Sequence, residues 1–164
     1  MIRERSASSE IRHPATRDVA STLGVLTGIG SIGHGLLECL QGYRPTPGPV
    51  IYALSPGTSW SAWNQGGEGA FTLIPNFLLT GLVATLVGVL IIFWSVRRLH
   101  KPGGPSLFLL LALASFLTGG GVAQVVLFAL AWAVATCIRG SLAFWQRLMP
   151  LTPTPRSKSS GPGL

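Results

Sequence analysis

Charge is what this sequence has least of. Only 10% of its 164 residues are Asp, Glu, Lys or Arg, against about 25% in a typical soluble domain. A set that sparse does not clothe an ordinary water-facing surface. Acids are the scarcer sign, five against twelve bases. Cysteine is scarce too: Cys39 and Cys137 form no Cys-x-x-Cys redox pair. There is no glycine-rich phosphate loop, and no internal repeat. These absences remove the usual signatures of redox and nucleotide chemistry.

What is present is apolar. Hydrophobic residues make up 48% of the chain, and the mean hydropathy is +0.49. They gather in long runs, so the expected class is an integral membrane protein. The length suits one small bundle rather than two domains.

The net charge of +7 would by itself suggest a nucleic-acid partner. Its placement argues against one. Arg3, Arg5, Arg12 and Arg17 precede the first apolar run; Arg97, Arg98 and Lys101 follow the second; Arg139, Arg147, Arg156 and Lys158 follow the last. Only Arg44 lies elsewhere. Bases that flank apolar runs on one side are topology signals. The expected partners are therefore the lipid bilayer and a second copy or another membrane protein, not nucleic acid.

Taken in order, residues 1–18 read as a cytosolic tail. Glu4, Glu10 and Asp18 spoil the basic start of a secretory leader. A first span is expected over 19–40, dense in glycine. Small residues such as Gly24/Gly28 and Ser31/Gly35 let a second backbone come close. Residues 43–69 form a long proline-bearing loop on the extracytoplasmic side, with Tyr43, Tyr52, Trp60 and Trp63 suited to the headgroup zone. Within it, residues 58–63 suggest a short helical turn. The second span is expected over 70–96, kinked by Pro75 near its start. Residues 106–138 carry no charge. The triplet Gly119-Gly120-Gly121 divides them into a hairpin of two helices, 106–119 and 121–138. The hairpin returns the last four bases to the side of the other seven, as the positive-inside bias requires. Residues 139–149 read as an interfacial helix, and 150–164 as a disordered tail. The whole is an all-α, four-helix membrane domain over 19–138. Both termini are in the cytosol, in the cytoplasmic (inner) membrane. Cys39 and Cys137 then lie at opposite faces, too far apart for a disulfide.

One stretch stands out inside the first span. Thr27, Ser31, His34, Glu38 and Gln41 recur at steps of four, three, four and three, which stack on one helix face. A histidine and a glutamate among lipid chains are costly, so this face should turn toward protein or water. With a rise of ~1.5 Å per residue, His34 lies ~9 Å and Glu38 ~3 Å below the outer surface. Asn76 lies ~9 Å deep on the second helix, and Gln124 ~5 Å past the glycine turn. The candidate site is therefore His34, Glu38, Gln41, Asn76 and Gln124, with Thr72 and Thr80 nearby. The carbonyl freed by Pro75 is expected in the same layer.

Three uses of this cluster are open. It serves as interhelical glue, as a site for a small ligand, proton or cation, or as a metal site. The last has only His34 and Glu38 at i, i+4 as ligands and nothing to complete them, so no metal and no cofactor is expected. No nucleophile, base and orienting group are assembled, so no catalytic residue is assigned.

The motifs His34-Gly35-x-x-Glu38-x-x-Gln41-Gly42 and Thr72-Leu73-Ile74-Pro75-Asn76-x-x-x-Thr80-Gly81 resemble segments of small, uncharacterised multi-pass membrane proteins of prokaryotes. The resemblance covers residues 24–138. It implies four helices and a shared outer-face motif, and brings no activity. The expected function is a structural or accessory membrane subunit, or a small-ligand binder. The alternatives are a small oligomeric transporter or channel for a proton, cation or small solute, and a membrane enzyme using His34 and Glu38.

Overall fold

A computed structural model describes residues 14–52 and 69–138. The expected turn at 58–63, the interfacial helix at 139–149, the tail at 150–164 and most of the N-terminal tail lie outside them. Four helices make the architecture: α1 (Pro14–Cys39), α2 (Phe77–Arg97), α3 (Gly104–Leu117) and α4 (Gln124–Cys137). Two short strands, β1 (Val50–Tyr52) and β2 (Gly69–Phe71), pair antiparallel between α1 and α2.

With 26 and 21 residues, α1 and α2 are long and apolar enough to cross a membrane. Among the described residues α1 runs from Pro14, earlier than the apolar run suggests. α3 and α4 have 14 residues each, or about 21 Å. That is less than the ~30 Å hydrocarbon core. The glycine triplet accounts for part of the shortening. Gly119 and Gly121 have φ of 95° and 85°, which ends α3 and delays α4 in a conformation that side chains disfavour.

The start of α2 differs from the expectation of a helix from residue 70. Residues 69–71 are instead a strand, in register Val50↔Phe71, Ile51↔Ala70 and Tyr52↔Gly69. Pro75 lies outside the helix and kinks nothing. Proline drives its predecessor toward extended backbone, and Asn76 then starts the helix as its N-cap. Its side-chain oxygen accepts from the Leu79 N–H at 3.2 Å, which satisfies one of the donors a helix start leaves open. The Phe71 carbonyl is not free either; it accepts from the Gly119 N–H at 3.0 Å.

The helices pack as a ring in chain order, α1 against α2 and α4, and α3 against α2 and α4. The α1/α2 seam is built on glycine. A β-carbon on Gly28 would stand 2.8 Å from the Gly88 carbonyl oxygen, and one on Gly88 2.8 Å from that of Gly28. Gly35 stands in the same relation to Gly81, at 2.6 Å. The pairs are seven residues apart on each helix and run in opposite directions, so one face of each helix stays in register with the other. One heptad further, Ser21 donates to the Ser95 carbonyl at 2.9 Å. Across the ring, Ser31 and Ser115 join α1 to α3 through hydroxyls 2.7 Å apart.

The distribution of polarity is the reverse of a soluble protein's. Thr27, Ser31, Glu38, Thr80, Ser95 and Ser115 are fully buried. Leu26, Leu36, Leu86, Phe93, Leu110 and Val126 are exposed. The larger apolar cluster, around Phe108, Ile91, Leu99 and Ile138, lies toward the end opposite the strands, and a smaller one of Ile51, Ala70 and Phe77 lies at the strands. In the larger cluster Phe108 and Phe128 meet edge to face, with centroids 6.1 Å apart.

Candidate functional site

The helical period of α1 puts His34 and Glu38 one turn apart on its buried face. His34 is 7% exposed and Glu38 0%. The His34 Nδ1 and Glu38 Oε1 atoms are 3.5 Å apart, long for an ion pair that closes at about 2.7–2.9 Å. The other polar atom of each group, His34 Nε2 and Glu38 Oε2, is buried and has no hydrogen-bond partner. A buried polar atom without a partner is rare and calls for an explanation.

The opposite wall is the α3–α4 turn. A β-carbon at Gly119 would lie 2.6 Å and 2.7 Å from the two Glu38 carboxyl oxygens. The carboxyl group is therefore seated flush against Gly119, whose φ of 95° strains any other residue. Its neighbour Thr118 links this turn to α2. The Thr80 hydroxyl meets the Thr118 carbonyl at 3.3 Å and is also hydrogen-bonded to the Thr72 hydroxyl. Thr72 in turn accepts from the Ile74 N–H at 3.0 Å. Main-chain bonds close the same end: Thr72 N–H to the Pro49 carbonyl, Leu73 N–H to Leu117, and Val122 N–H to Gly69, at 2.8, 2.9 and 3.0 Å.

The expected cluster is thus partly assembled. His34 and Glu38 are together. Gln124, the first residue of α4, packs on Gly30, one helical turn from His34, and its Oε1 is buried without a partner. Asn76 is nearly buried, but its side-chain oxygen is used as the α2 cap. Gln41 falls past the end of α1, where Gly42 turns the chain with φ of 75°. Its amide donates to the Tyr52 carbonyl at 3.0 Å, so it holds β1 rather than facing His34. The sequence reading missed Ser115 and the contact with Gly119. A serine in an uncharged helix was the available signal for Ser115; nothing in residue order pairs Gly119 with Glu38.

Among the described residues no group of three or more His, Cys, Asp or Glu comes together, so His34 and Glu38 form an incomplete set for a metal. Cys39 and Cys137 are not joined in a disulfide. Cys39 points to the Leu78 carbonyl at 3.9 Å rather than into the pair. No family model, curated protein or solved structure matches this chain.

Proposed function

We propose that this chain is a multi-pass membrane protein of the inner membrane that binds a small ligand at the His34–Glu38 pair. In this reading all four helices cross the bilayer, with both termini cytosolic and the 43–69 loop outside. The short α3 and α4 are accommodated by local thinning of the membrane. The exposed leucines, valines and phenylalanines around a polar interior support it, as does the flanking arrangement of bases. The resemblance of its two motifs to small multi-pass proteins fits the same reading.

The observation that carries the binding role is the fully buried Glu38 carboxyl, with one oxygen unpartnered beside an unpartnered imidazole nitrogen. Interhelical glue would satisfy its polar atoms; this pair leaves one on each residue open. Two measurements test the reading. Cysteine-accessibility labelling in intact cells should reach residues in the 43–69 loop from outside and residues in neither tail; labelling of the C-terminal tail from outside overturns the topology. In detergent, the pH dependence of the purified protein's unfolding temperature should change in Glu38→Gln. A pH dependence unchanged in Glu38→Gln overturns the site.

A further inference from the structure

Resting on that reading of the site, we infer that the ligand of the His34–Glu38 pair is a single proton, taken up by the Glu38 carboxyl from the membrane face at which α1 ends. The argument starts from what a buried carboxyl group needs. Removed from water, a carboxylate is held by a cation, by hydrogen bonds or by a proton. The nearest cationic candidate is His34, at 3.5 Å from one oxygen only. The other oxygen has no hydrogen-bond partner. Among the described residues no other charge is close: Arg17 and Asp18 lie at the far end of α1, and Arg44 is exposed to solvent. Residues 69–76 carry none, α2 carries only Arg97 at its far end, and residues 104–138 carry none. The α3–α4 turn faces the carboxyl with Gly119, and the neutral amide of Gln124 on α4 packs on Gly30, two turns away along α1. Cys39, its neighbour on α1, is turned toward α2.

Space then selects the ligand. A metal cation needs several oxygen ligands at about 2–2.6 Å around it. Here Gly119 closes one side of the carboxyl, where a single added carbon would overlap both oxygens, and among the described residues no third acid, histidine or cysteine completes a ligand set. A proton needs no such volume. It becomes part of the carboxyl group: hydronium gives a proton to Glu38 Oε2, an O–H bond forms, and a water molecule is left. The reverse step returns it. Access is from one end. Glu38 is the penultimate residue of α1, within a turn of the loop at residues 40–42. Further into the bundle the way is filled by the Ser31–Ser115 bridge and then by Phe108 against Gly24.

Infrared difference spectroscopy on the full chain in lipid nanodiscs tests this. A carboxylic-acid C=O band should rise and fall reversibly with pH, and exchange into heavy water should shift it. It should be lost in Glu38→Gln, and its midpoint should move in His34→Gln. Should Glu38→Gln fail to fold, a chain with Glu4, Glu10 and Glu68 changed to Gln and Asp18 to Asn should keep the band and its midpoint. Sodium, potassium or magnesium chloride added at constant pH should leave it unchanged. Displacement of the band by one of these salts overturns the proton and retains a cation-binding site. A Glu38 band that is constant, or absent, at every pH and in every salt overturns both the proton and the ligand-binding reading.

Discussion

The two halves of the bundle are held together in opposite ways. α1 and α2 approach backbone to backbone at Gly28/Gly88 and Gly35/Gly81. α3 and α4 stand apart on bulky side chains and leave an apolar gap of about 240 Å³ beside Leu109, Leu113, Phe116, Val125 and Phe128. A backbone carbonyl cannot step aside for a new methyl group, whereas a leucine can change rotamer. The first half therefore has no tolerance for added atoms, and the second has room for them. The long seam is also the one that presents His34 and Glu38, so the rigid half carries the site.

The largest effect expected from this contrast is at the seam. Gly35→Leu or Gly81→Leu should destabilise the folded protein by about 3 kcal/mol or more, read as a lowered unfolding midpoint in detergent. An unchanged midpoint would break the comparison. Next comes Gly119→Ala. It adds a side chain at φ 95° and pushes it into Glu38, for a loss of roughly 1–3 kcal/mol. Adding Glu38→Ala to that variant removes the collision but not the backbone strain, so partial recovery should separate the two. Asn76→Ala should cost about 1 kcal/mol through the lost cap, and Asn76→Ser little, with helix content by circular dichroism as a second readout. The smallest effect is in the other half. Ala112→Val, which adds atoms beside the gap, should be neutral or stabilise by up to about 1 kcal/mol. A loss comparable to Gly35→Leu would show that the two halves are equally tight.

Much of this was legible from residue order. The apolar runs yielded the two long helices, and the i, i+4 spacing put His34 and Glu38 on one buried face. Glycine density marked α1 as a packing helix. The pairing rule was not legible, because its partners Gly81 and Gly88 sit far along the chain and the local eye falls on steps of four rather than seven. Ala70-Phe71-Thr72 is as apolar as the helix that follows, so period alone could not separate strand from helix. The local chemistry was present in Pro75-Asn76, a proline followed by a good N-cap. Reading it would have moved the helix start and removed Asn76 from the cluster. The depth assigned to Asn76 rested on the rise of a helix from residue 70, whereas α2 begins at Phe77. Gln41 continued the stripe in sequence but not in space, because Gly42 lets the chain leave its helical path.

The end of the bundle nearest Glu38 is stitched by amides and carbonyls of residues 69–73 and 117–122. Such a stitch is blind to the side chains it carries. Leu73 and Val122, both exposed at 66% and 49%, are therefore free to drift, and a library randomised there should fold in most of its members. The amides of Thr72, Leu73, Gly119 and Val122 belong to no helix, yet they should outlast those of ordinary loops in deuterium exchange. The closure over the site is thereby carried by chain path at Leu73 and Val122 and by residue identity at Gly119.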